Sequence, residues 1–203
     1  MSSVTLFRAS GLALLLGPPV YIVGSILTFA AAPLAPLWLV MTGVWIGGMV
    51  LLLLGMPGIV ARQSASAGWT GSIGFLLLFL GWFLLTSYYV GDDLITSPWL
   101  NGLAPHVYAQ WFVNPAAVVF FHLALSLLVL GEALLGSATI RAGVFSRWAG
   151  LLLIAAAVFG LASFVNGSLL TPATTLAFLG LGWMGYTLWT TKGKAVLQHA
   201  LAS

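Results

Sequence analysis

Two ionisable side chains inside a long apolar segment are the first candidates for chemistry in this sequence. Glu132 is the single acidic residue within such a segment, and His122 precedes it in the same segment. A carboxyl group in that setting can serve proton coupling in a transporter, or it can pair with Arg141 or Arg147. His122, with Ser126 on the same helical face, can contact a ligand or hydrogen-bond a neighbouring helix. Both alternatives stay open for each residue.

The remaining acidic residues do not form a recognisable metal or catalytic site. Asp92 and Asp93 share a polar stretch with His106, but their separation matches no metal-ligand spacing. The chain contains no cysteine, which excludes disulfides and thiolate metal sites. We therefore predict no catalytic residue, no metal and no cofactor. The sequence favours a non-catalytic protein without deciding the matter.

A glycine motif in the last apolar segment resembles a nucleotide-binding pattern. Gly180, Gly182 and Gly185 have the spacing of a dinucleotide-binding loop. That loop works only between a strand and a helix, where backbone N–H groups face a pyrophosphate. Here the glycines lie within an apolar segment, and we predict that they allow close helix packing.

The composition indicates a protein that is solvated by lipid. Charged residues make up 4% of the 203 residues and hydrophobic residues 61%, and the mean hydropathy is +1.12. An ordinary soluble domain has about 25% charged residues, which it needs to cover its surface. Six cations without clustering are also too few for a nucleic-acid interface, so we predict no nucleic-acid partner.

Six apolar segments approach the length of a membrane helix, which is about 20 residues for a hydrocarbon core of about 30 Å. They are residues 10–31, 34–60, 69–90, 115–138, 147–165 and 172–190. Asn114-Pro115 and Thr171-Pro172 each place a capping residue before a proline, as helix starts often do. The sequence therefore predicts an all-α integral membrane protein, a single six-transmembrane-helix bundle over residues 1–203. Residues 91–114 are predicted to form an outer interfacial loop.

The distribution of cations predicts how these helices are oriented. Cytoplasmic loops are enriched in lysine and arginine. With six crossings, all six cations fall on one side, and Asp92 and Asp93 fall on the other. These cations are Arg8, Arg62, Arg141, Arg147, Lys192 and Lys194. Both termini are therefore predicted to be cytoplasmic.

Two local patterns bear on the architecture. Residues 8–15 are similar to residues 147–154, and residues 69–71 resemble part of the same pattern. This would suit a repeat of three helical hairpins, although any basic helix start followed by leucine looks alike. Residues 141–150, Arg-Ala-Gly-Val-Phe-Ser-Arg-Trp-Ala-Gly, resemble a loop and helix start of uncharacterised bacterial multi-pass membrane proteins. This resemblance covers about ten residues and departs from the pattern at Ser146, where proline is expected. It implies a bacterial inner membrane and a helical bundle, and it carries no activity.

Polar residues in the outer halves of the predicted helices suggest a binding pocket. We expect Tyr21, His122 and Asn166 to line one outward cavity between the first, fourth and fifth helices, with Ser126 nearby. Alternatively, the hydroxyl groups bond to carbonyls of their own helices and form no pocket. The sequence thus predicts a protein that binds a neutral or lipid-like ligand, or a subunit of a larger membrane complex. Its partners would be lipids, other membrane subunits or a second copy. The alternative is a small-solute transporter, proton-coupled through Glu132.

Overall fold

The computed structural model describes residues 3–111 and 113–190, which are helical throughout apart from short connections and contain no strand. Five long helices carry the fold, and shorter helices connect them. In chain order the helices are α1 (Ser3–Ala30), α2 (Pro36–Tyr89), a π-helix (Val90–Thr96), α3 (Ser97–Leu103), α4 (Pro105–Trp111), α5 (Pro115–Ala142), α6 (Arg147–Ser163), a 3-10 helix (Gly167–Leu169) and α7 (Leu170–Thr190). Lys192 and Lys194, predicted to be cytoplasmic, lie outside the described residues.

The α2 helix is two helical segments that meet at a single non-helical residue. Gly68 has φ 58° and ψ −164°, a region that essentially only glycine occupies. The chain reverses there, so that residues 36–67 run antiparallel to residues 69–89. The ring of Trp45 in the first segment consequently lies 4.8 Å from the ring of Tyr89 in the second.

The long helical segments pack in chain order, and the last packs against the first. α1 packs on the first segment of α2, the second segment of α2 packs on α5, and α5, α6 and α7 follow. α7 in turn packs against α1, which closes the arrangement around a core that contains Trp82 and Phe178. Asn114 and Ser146 cap α5 and α6 by accepting from Ala116 N and Trp148 N, at 2.9 and 3.3 Å.

The antiparallel order gathers unlike charges at opposite ends of the molecule. The start of α1, the Gly68 reversal and the α5–α6 connection meet at one end, here named the arginine end. Its described cations are Arg8, Arg62, Arg141 and Arg147. The α1–α2 connection, the π-helix and the α6–α7 connection meet at the other end, named the aspartate end after Asp92 and Asp93.

Within the described residues, three helical stretches are long and apolar enough to cross a membrane, namely Thr5–Ala30, Pro36–Leu103 and Pro115–Ala142. The second includes the reversal at Gly68, and Arg147–Ser163 is a shorter apolar helix. Large apolar side chains such as Phe29 and Val165 are 83% and 94% exposed. An apolar surface of this kind is compatible with insertion into lipid.

The described part of residues 91–114, which the sequence predicts to form an outer interfacial loop, is mostly helical. It contains most of the π-helix, followed by α3 and α4. Proline suits the first turn of a helix, where its missing N–H costs nothing. Pro98 and Pro105 stand in the first turns of α3 and α4, and this placement favours short helices over an irregular loop.

Glycine allows the helix backbones to approach closely. A Cβ atom on Gly131 would lie 2.2 Å from the backbone nitrogen of Leu78, and one on Gly136 would lie 2.7 Å from the carbonyl oxygen of Gly150. A Cβ atom on Gly185 would lie 2.9 Å from the carbonyl oxygen of Gly11. The glycine motif of α7 is therefore a packing surface, as the sequence indicated.

We predict that Gly131→Ala destabilises the protein by about 1–3 kcal/mol, because the new methyl group meets backbone and not a movable side chain. Gly47→Ala is the matched control. A Cβ atom at Gly47 has no neighbour within 4 Å, and alanine favours a helix by about 0.5–1 kcal/mol. Thermal unfolding of both variants in detergent measures the difference. Equal melting temperatures would contradict the close α2–α5 contact.

Candidate functional site

The aspartate end contains a cavity of about 340 Å³ that opens to the surface. We name it the aromatic cavity. Its volume falls within the range of small-molecule sites, about 300–1,000 Å³. Residues from α1, both segments of α2, the π-helix, the 3-10 helix and α7 line it: Tyr21, Ser25, Thr28, Phe29, Trp38, Trp45, Tyr89, Asp93, Gly167, Leu170, Thr171 and Thr174.

Three rings of the cavity wall contact one another at nearly right angles. Tyr21 and Trp45 have ring centroids 5.9 Å apart and an interplanar angle of 88°. Trp45 and Tyr89 are 4.8 Å apart at 79°. These edge-to-face contacts are the geometry that aromatic pairs prefer. They hold the three rings as adjoining walls.

The same rings connect the cavity to the buried core. Tyr21 stacks on Phe178 with centroids 4.2 Å apart, and Phe178 meets Trp82 edge to face at 5.2 Å. Both Phe178 and Trp82 are fully buried. The indole Nε1 of Trp82 has no hydrogen-bond partner in the described part of the chain. The wall of the cavity is consequently packed directly on an aromatic part of the core.

The threonine hydroxyl groups near the cavity bond mainly to their own helices. Thr28 Oγ1 donates to Gly24 O at 2.8 Å, and Thr174 Oγ1 donates to Leu170 O at 2.8 Å. This is the backbone bonding that the sequence left open as an alternative to a pocket. The structure shows both the pocket and the backbone bonding. The cavity is present, and the hydroxyl protons of Thr28 and Thr174 bond to carbonyl groups of their own helices.

Adjacent aspartates have different roles at this end. Asp92 is 5% exposed, and its carboxylate accepts from Trp111 Nε1 and from Ser97 Oγ, the latter at 3.4 Å. It therefore ties α3 and α4 to the π-helix. Asp93 instead lines the aromatic cavity. Within residues 3–111 and 113–190 it forms no ion pair or hydrogen bond.

The charges around Asp93 are all of one sign in the described part of this end. Asp93 is half-buried, its sequence neighbour Asp92 is also acidic, and the described arginines lie at the arginine end. A cation nearby would favour the charged form of the Asp93 carboxyl group.

The structure brings one of the four sequence-predicted ligand residues to the cavity. Tyr21 lines it. His122 is exposed on α5, where its Nδ1 donates to Val118 O at 2.7 Å, and Ser126 Oγ donates to His122 O at 2.8 Å. Asn166 is exposed and caps the 3-10 helix by accepting from Ser168 N at 3.2 Å.

The cavity therefore has different walls from those that the sequence suggested. α7 packs against α1, so the cavity forms between α1, α2 and the start of α7, and not between α1, α5 and α6. His122, Ser126 and Asn166 are satisfied within their own helices or turn.

Glu132 is buried in α5, with 2% of its surface exposed. The predicted pairing with Arg141 or Arg147 is not formed, because both arginine side chains are exposed and Glu132 takes part in no ion pair in the described residues. Thr139, two turns further along α5, donates to Gln63 Oε1 at 3.3 Å in the same half of the bundle.

The sequence pattern did not assign Trp38, Trp45, Tyr89 or Asp93 to a pocket, although all four line the cavity. Aromatic residues near helix ends are ordinarily membrane-interface anchors, and an aspartate after a helix is ordinarily a cap. Their convergence depends on the reversal at Gly68, which brings Trp45 and Tyr89 to one level.

Comparisons of the chain with protein-family models, with curated proteins and with solved structures found no match.

Proposed function

We propose that this chain is a bacterial inner-membrane protein whose six helical segments cross the bilayer, with both termini in the cytoplasm. The aromatic cavity then opens to the outer side and binds a lipid-like or otherwise weakly polar ligand without catalysis. The reversal at Gly68 supports the count of six, because it divides one 68-residue apolar stretch into antiparallel segments. The gathering of the described arginines at one end supports the orientation.

The observation that carries the binding proposal is the aromatic cavity itself. Its walls are mostly rings and aliphatic groups, with a few polar groups, which is the usual make-up of a small-molecule site. Phe29 stands at its rim and is 83% exposed. A ligand with an apolar chain could therefore rest partly in the cavity and partly in surrounding lipid. Assembly with other membrane subunits remains compatible with this function.

Transport of a small solute is the second candidate. It is favoured by Glu132, because an unpaired carboxyl group inside a membrane helix is usually functional. Trp82 and Phe178 fill the core beneath the cavity, so transport would require these rings to move.

We predict that the aspartate end and the arginine end face opposite sides of the membrane. The chain has no cysteine, so single cysteines can be introduced without background. Asn101→Cys in α3 and Ser64→Cys before the reversal are both at exposed positions. A membrane-impermeant thiol reagent should label the first in intact cells and the second only after permeabilisation. Labelling of both in intact cells would refute the topology.

We predict that Ser25→Phe fills the aromatic cavity and abolishes ligand binding. Ser126→Phe is the matched control, because it adds the same ring on α5, away from the cavity. Lipids and small molecules that co-purify with each variant can be identified by native mass spectrometry. The species bound to the wild type should be lost from Ser25→Phe and kept by Ser126→Phe. Its retention by both variants would exclude the cavity as the binding site.

We predict that Glu132→Gln separates binding from transport. If Glu132 couples protons, solute-driven acidification inside vesicles containing the wild-type protein should disappear in the variant, while the ligand still co-purifies. If the protein only binds, neither protein should acidify the vesicles. A pH-sensitive dye enclosed in the vesicles gives the measurement.

A further inference from the structure

The aromatic cavity has aromatic rings and one carboxylate in its wall, and this combination favours a positively charged ligand. This inference rests on the proposed binding function and names the class of ligand. The three adjoining rings of Tyr21, Trp45 and Tyr89 form part of the wall, and Trp38 also lines the cavity. Tryptophan and tyrosine attract cations that lie within about 6 Å of their ring faces.

One carboxylate supplies the charge of the cavity. Asp93 lines it without a hydrogen bond or ion pair in the part of the chain that the structure describes. Asp92, the neighbouring acid, is occupied by Trp111 and Ser97. The described arginines lie at the other end of the bundle, so none of them neutralises Asp93. A cation entering the cavity would meet an available negative group in partly dry surroundings, where the attraction is weakly screened.

The charges around the cavity disfavour an anionic ligand. A phosphate or carboxylate group would be repelled by Asp93, and the described arginines lie at the other end of the bundle. The hydroxyl protons of Thr28 and Thr174 are engaged with backbone carbonyl groups and are not available to such a ligand. A methylated or primary ammonium group needs ring faces and a counter-charge, which the cavity provides.

We propose that the aromatic cavity binds an organic ammonium group, held against the wall that the rings of Tyr21, Trp45 and Tyr89 form and neutralised by Asp93. The group is the head of a choline- or ethanolamine-type lipid, or a free ammonium compound with the same chemistry. The exposed rim residue Phe29 gives an attached acyl chain a surface to follow.

The first test compares a cation with its uncharged isostere. Tetramethylammonium chloride and 3,3-dimethylbutan-1-ol, together with choline, are titrated into the purified protein in an uncharged detergent, with tryptophan fluorescence and isothermal calorimetry as readouts. We expect saturable binding of tetramethylammonium and choline, and binding of the alcohol that is at least about tenfold weaker, since the alcohol has no charge to form a cation–π contact. Equal binding of the alcohol and choline would overturn the ammonium proposal while leaving a ligand-binding cavity in place.

Two variants assign the interaction to the named groups. Asp93→Asn should weaken tetramethylammonium binding about tenfold or more, since it removes the counter-charge without changing the side-chain shape. His122→Ala removes an exposed side chain of α5 that does not line the cavity, and it should leave the affinity unchanged. Trp45→Phe keeps a ring but weakens the cation–π contact, and an intermediate loss is expected. An unchanged affinity in folded Asp93→Asn would refute the role of this carboxylate.

Lipid nanodiscs distinguish the two sources of the ammonium group. The protein is placed in phosphatidylglycerol discs with or without phosphatidylcholine, and bound lipid is counted by native mass spectrometry. Selective retention of phosphatidylcholine, lost in Ser25→Phe, indicates a lipid head group. Binding of tetramethylammonium and choline without lipid retention indicates a free ammonium compound. No binding of any ligand, with Ser25→Phe indistinguishable from the wild type, would reject the proposed binding function itself.

Discussion

Close backbone contact through glycine is the constraint on which the rest of this structure depends. In an apolar chain with nine charged residues, helices cannot rely on ion pairs, and in lipid they gain little from apolar burial between helices. The interaction that is left to hold the helices together is close packing of their backbones. An ideal Cβ on Gly24 would lie 2.5 Å from Trp45 N, and one on Gly48 would lie 2.6 Å from Tyr21 N. The contacts that join α1 to α2 thus also set the positions of two cavity rings.

The helical class follows from the sequence because it depends on local features. Apolar length, the capping residues Asn114 and Ser146, and the glycine spacing in α7 each act over a few residues. The face that each helix turns inward could not be predicted in this way. α1 and α2 are apolar around their whole circumference, so no amphipathic pattern marks the buried side.

The site was harder to predict because it depends on the order of helices. Tyr21 was predicted from its position in the outer half of the first helix, which is a property of one helix. His122 also lies in the outer half of its predicted helix. Because α7 packs against α1, His122 is exposed on the side of α5 that faces away from the bundle. The π-helix places Asp93 in the cavity and turns its neighbour Asp92 toward Trp111. This helix type was not predicted from the sequence. The residue type alone does not show which of two adjacent aspartates lines the cavity.

The reversal at Gly68 leaves the chain no spare length between two of its helices. One residue makes the whole turn, and residues on both sides of it, such as Ala67 and Gly71, are already in contact. An inserted or deleted residue there would rotate residues 69–89 relative to residues 36–67 and separate Trp45 from Tyr89. Related chains that keep this cavity should therefore conserve the length of the reversal strictly. Their differences in length should accumulate around α3 and α4, where the connecting segments are held by fewer contacts.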